Sequence, residues 1–167
     1  MINVKKTADR VSAMKRAVQA LAKSHVLVGI PADSSDNSRD DGPINNSELG
    51  FIHEFGAPEA NIPARPFLVP GVKASWAEAN GLLSRGAENV LQLNPSPEAT
   101  VTRTLEAVGL LAQGEVVRSI DDGLTPVLNA LTLAARKRKG FAGTKPLIVT
   151  GQLKQSITYV VKNAPNR

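Results

Sequence analysis

Apolar positions recur along this chain with two periods, and the points where one gives way to the other mark its elements. Between residues 7 and 23, Val11, Met14, Val18 and Leu21 fall at spacings of three and four, the stripe of an amphipathic helix. "HVLVGI", 25–30, is β-branched and closed by Pro31, which reads as a strand. "PADSSDNSRDDGPINN", 31–46, has too little apolar surface to order itself and is expected to be a mobile surface loop. In "NSELGFIHEFG", Asn46 or Ser47 is placed to cap a short helix, and Gly56 to end it in a left-handed conformation.

The stretch after Gly56 breaks the pattern. Pro58, Pro63, Pro66 and Pro70 each fix φ and remove a backbone donor, and the residues before them are biased to extended geometry. A stiff arm results, with little entropy to lose when it docks. Phe67 and Leu68 supply an apolar anchor on it, and Arg65 a planar fork for a carboxylate, with Glu54 the candidate. Such an arm either braces a monomer or pins a neighbouring subunit.

Helical composition resumes over 73–93, with Trp76, Leu83 and Val90 along one side. Gly81 and Gly86 weaken that helix by roughly 1 kcal/mol each against alanine. The best-marked helix follows: Ser96 as cap, Pro97 at the first position, Glu98 in the first turn, and Gly123 as the stop. Its stripe is Val101, Leu105, Val108, Leu111 and Ile120, so 74–122 forms a long helical middle. Asn129 opens a short helix through Arg138, and "KGFAGTKP" is a basic, glycine-containing loop. Thr150 is placed to cap a single turn, and "SITYVV", 156–161, reads as a strand with Ile157, Tyr159 and Val161 on one face.

The elements define an α+β class: one domain over 1–167, with a small antiparallel sheet packed by several helices. A two-stranded sheet is marginal alone. Either helices cover it or strands of neighbouring subunits extend it.

Composition narrows the chemistry. A chain of 167 residues buries a core without staples. It has no cysteine, which removes disulfides, thiolate metal sites and a cysteine nucleophile. The two histidines, His25 and His53, leave little material for a metal centre. No apolar run approaches the roughly 20 residues that span a membrane, and "MINVKKTADR" lacks the apolar stretch of a signal peptide, which points to a cytosolic-type chain. The net charge of +5 is uneven: 31–60 holds most of the Asp, while no carboxylate follows Asp122. A basic face able to meet nucleic acid or an acidic protein is one reading, and a solvated positive tail the other.

Each motif that suggests chemistry also has a plainer explanation. Asp40-Asp41 and Asp121-Asp122 lie in turn contexts that favour Asp for backbone hydrogen bonding, and nothing nearby splits their pKa values as acid–base catalysis needs. "HEF", 53–55, starts like a zincin motif, but position 57 is Ala where a second histidine is required. "GFAGTK", 140–145, has Gly-Thr-Lys followed by Pro146, not the Gly-Lys-Ser/Thr of a phosphate loop. Arg136, Lys137, Arg138 and Lys139 are four consecutive cations able to neutralise phosphates without reading sequence, or simply to complement a helix C-terminus.

"ELGFIHEFGAP", "IPARPFL" and "KPLIVTGQLKQSITY" together resemble tailed-bacteriophage morphogenesis proteins of the HK97 gp10-like group, over Val26–Gly71 and Lys145–Val161. The resemblance implies a non-enzymatic tail-completion or neck subunit without cofactors. It would form a homo-oligomeric ring, of six copies, around the DNA conduit of the virion head–tail junction after assembly in the host cytoplasm. Its partners would be head–tail connector, tail terminator or tail-tube proteins. Assembly elements would be the Ile62–Leu68 arm with Arg65, Phe67 and Leu68, the Thr150–Gly151 turn, and Glu54 and Phe55 ahead of the arm, with Arg136, Lys137, Arg138 and Lys139 as a DNA-facing basic patch. The alternatives are a tail terminator capping the tube, and a small non-specific DNA-binding module.

Overall fold

The computed structural model describes residues 4–32, 44–92 and 96–163. In chain order they form α1 (Val4–Lys23), β1 (Ser24–Gly29), α2 (Asn46–Phe55), a 3-10 turn (Pro58–Ala60), α3 (Leu68–Leu91), α4 (Pro97–Asp122), α5 (Ala130–Arg138), α6 (Gln152–Gln155) and β2 (Thr158–Asn163). β1 pairs antiparallel with β2 in a two-stranded sheet, so the class is α+β as expected. The chain separates into two compact units. One takes the described residues of 1–27, 75–112 and 159–167; the other takes those of 28–74 and 113–158.

In the first unit, Ala17, Val90, Val101 and Leu105 form the buried core, with Leu21, Val26, Leu83 and Val161 packed against it. The expected stripe of α1 holds at Met14 and Leu21, both half-buried, and is corrected at its two valines. Val11 is 60% exposed and Val18 is also exposed, whereas Ala17 is fully buried. The helix turns its small residues inward because alanine permits close backbone approach, and the larger valines are left outside. Trp76 is likewise exposed, while Ala79, Gly86 and Val90 take the inner side of α3. Gly86 has a packing reason, since a Cβ there would meet the Thr104 side chain at 2.4 Å. At Gly109 a Cβ would meet the Tyr159 ring at 2.2 Å.

In the second unit, Phe67, Val116, Ile120, Leu124 and Ile157 form the core. Gly71 lies so near α4 that a Cβ would sit 2.5 Å from Val116 Cα. The bounds expected for α4 hold: Pro97 opens it and Gly123, at φ 100°, follows its end. Asn129 caps α5 as expected, its side chain accepting from Thr132 N–H at 2.7 Å.

Two caps differ from expectation. The α2 cap is Asn45, not Asn46 or Ser47: its Oδ1 accepts from Glu48 N–H at 2.8 Å, and its own N–H donates to Glu48 Oε2 at 3.1 Å. This capping box starts the helix inside the segment expected to be loop. Asn46 is buried, and 33–43 of that segment lie outside the described residues. At α6 the cap position is Gly151, with φ 80°, not Thr150, whose hydroxyl only accepts from Gln152 N–H at 3.4 Å.

Candidate functional site

Residues 56–67 fold back on α2 instead of running straight as a free arm. Gly56 has φ 79° with an extended ψ of 169°, positive as expected but not left-handed helical. A Cβ on it would meet Ala64 N at 2.8 Å. Ala57 and Ile62 pair in an antiparallel bridge around the 3-10 turn, with Asn61 left-handed at φ 55°. Arg65 N–H then donates to His53 O at 2.6 Å. The prolines therefore stiffen a strap held within the monomer, and its ordering entropy is lost on folding.

The strap delivers Phe67 to the start of α3. The first four N–H groups of a helix have no acceptor within it. Here Phe67, Leu68 and Val69 donate theirs to the Glu54 carboxylate, at 2.8, 2.8 and 3.0 Å. The next residue, Pro70, has no N–H to place, and Gly71 N–H returns to Phe67 O at 3.1 Å. Every donor of the turn is accounted for, and the carboxylate also faces the positive end of the helix dipole. This is why α3 begins at Leu68, earlier than the 73 expected from composition. Glu54 is 8% exposed. Its charge is held by backbone amides, not by Arg65, which corrects the expected pair.

Arg65 points elsewhere. It is 7% exposed, and it donates from Nε to Pro126 O at 2.7 Å and from Nη2 to Val127 O at 3.4 Å. Arg136 Nη1 donates to the carbonyls of Gly143, Lys145 and Ile148 at 3.2, 2.9 and 3.3 Å. Burial first, then the neighbouring Arg65 charge, lowers the Arg136 pKa below the ordinary guanidinium value. Both arginines line one groove of the second unit, about 900 Å³ in volume, with Leu49, Ile62, Leu128 and Leu147 among its walls.

The remaining sequence candidates sort by exposure. Glu54, Arg65 and Phe67 are buried and Leu68 is half-buried, and within this chain these four brace the fold. Phe55 is 64% exposed beside Phe51, itself 66% exposed, with ring centroids 4.8 Å apart. The sequence reading missed Phe51, although its i,i+4 spacing from Phe55 was the available signal. Thr150 is exposed, Gly151 is half-buried, and both line the arginine groove. Lys137, Arg138 and Lys139 are exposed, but Arg136 is committed to loop carbonyls, so the expected four-residue basic patch contains three.

The other motifs take structural roles. Asp121 accepts from Lys154 Nζ at 3.0 Å, and Asp122 lies 4.0 Å from Arg118. The Gly143 and Lys145 carbonyls point at a cation, the opposite polarity to a phosphate-binding loop whose amides converge on an anion. Among the described residues no group of three His, Cys, Asp or Glu is placed to hold a metal, and no helix is long and apolar enough to cross a membrane. Asp40 and Asp41 lie outside the described residues. Comparison with protein-family models, with curated proteins and with solved structures returned no match.

Proposed function

We propose that this chain is a structural subunit of a tailed-bacteriophage particle, acting by self-assembly into a ring at the head–tail junction as a tail-completion or neck protein. The observation that carries the reading is the exposed Phe51–Phe55 pair on α2, beside the exposed Ile44. Clustered aromatic rings in water are characteristic of protein–protein contact surfaces. The two-stranded sheet adds support, since Leu27 and Val160 leave apolar surface exposed on it. The sequence resemblance supplies the particular setting, and connector, terminator or tail-tube proteins as partners. The exposed Lys137, Arg138 and Lys139 suit a surface passed by DNA without sequence readout.

The test is assembly. Light scattering and negative-stain images of the purified protein, alone and with connector or tail components, are expected to show rings. Replacing Phe51 and Phe55 with Ser should leave the fold intact and abolish them. A chain that stays monomeric with every virion component would overturn the reading. A null-mutant lysate separates the nearest rival: filled heads with unattached tails of uniform length indicate completion, whereas overlong tails indicate a terminator.

A further inference from the structure

We infer that the groove lined by Arg65 and Arg136 is a docking site for an extended segment of a partner protein, which places a Glu or Asp carboxylate between the two guanidinium groups. The inference stands on the groove alone and holds whether or not the chain forms rings. Both cations line the same cavity, and among its described lining residues there is no Asp or Glu. Among the described residues their hydrogen bonds go to backbone carbonyls. A carbonyl carries partial charge and leaves the formal charge of a guanidinium unbalanced, so two such groups repel until an anion joins them. Burial is the larger cause of the lowered Arg136 pKa, and the Arg65 charge adds to it in the direction of that repulsion.

The shape selects the occupant. The volume of about 900 Å³ lies in the range of ligand clefts and accommodates a few residues of extended chain. Leu49, Ile62, Leu128 and Leu147 offer walls for apolar side chains flanking the acid. Arg65 is nearly inaccessible from bulk solvent, within reach of a side chain entering the groove but not of a duplex phosphate backbone. The exposed Lys137, Arg138 and Lys139 would meet such a backbone first.

The experiment uses the full chain, immobilised, and two pools of capped seven-residue peptides randomised except at the centre. One pool fixes Glu there and the other Gln. Retention of the Glu pool is expected to exceed that of the Gln pool by about tenfold, the scale of one buried charge-assisted pair. Arg136→Gln should erase the preference. Because that change also releases the 143–148 carbonyls, Val149→Glu serves as a second variant, adding a carboxylate at the exposed rim of the groove, and should erase it too. The triple variant K137S/R138S/K139S should keep it in full. Equal retention of the two pools overturns the proposal, as does loss of the preference in the triple variant. Displacement by acetate as readily as by peptide would identify a free carboxylate as the ligand, and displacement by duplex DNA a nucleic acid; either result also sinks it.

Discussion

The two units of this chain are held together by different physics. The first relies on small residues and close approach: Ala17 buried without remainder, Gly86 filled by Thr104, Gly109 covered by the Tyr159 ring. The Arg16–Glu98 ion pair, at 3.5 Å, lies on its exposed surface. The second adds buried polar side chains that satisfy backbone groups, with Glu54 on three amides, Arg65 on two carbonyls and Ser119 Oγ on Phe67 O at 2.8 Å. Close approach between small residues is lost when a single atom is added, whereas a buried carboxylate destabilises the fold unless its acceptor sites are filled. The candidate groove sits in the second unit, where charged side chains fix irregular backbone and two cations line one cavity.

That contrast can be broken at specific positions. Glu54→Ala strips three first-turn amides of their acceptor and should cost about 4 kcal/mol, read as a lower midpoint in urea unfolding. Glu54→Gln should cost less, since one amide oxygen remains to accept. Alanine at Gly71 or Gly109 tests close approach in either unit: each added Cβ overlaps a neighbour, and a loss of about 2 kcal/mol is expected in the same assay. A destabilisation at Gly109 larger than that of Glu54→Ala would reverse the contrast drawn here. Asn45→Ala opens the capping box of α2 and should cost about 1 kcal/mol. Smallest, and opposite in sign, Gly114→Ala meets nothing within 4 Å and should add roughly 0.5–1 kcal/mol of stability through helix propensity, read as a slightly higher Tm.

Legibility in the sequence followed distance along the chain. Signals written within one or two turns survived: Pro97 and Gly123 bounding α4, Asn129 capping α5, the β-branched run of β1. The α1 stripe held at Met14 and Leu21 and failed at Val11 and Val18, because hydropathy ranks Val above Ala whereas the core selected Ala17. The role of Glu54 was hidden because its acceptor sites meet amides at 67–69, 13 to 15 residues on, through a strap whose return no local pattern encodes. Arg136 looked like the first of four surface cations, yet its acceptors lie 7 to 12 residues away in an irregular loop. Phe51 and Phe55 were legible in spacing, but only the buried Glu54 and Gly50 on the same helix reveal that the rings face outward.

One anion shared by consecutive donors has a kinetic corollary. When the Glu54 side chain swings away, Phe67, Leu68 and Val69 lose their acceptor in the same instant, so their amide protons should show one common protection factor. An ordinary helix start frays residue by residue; this one behaves as a latch, either shut or open.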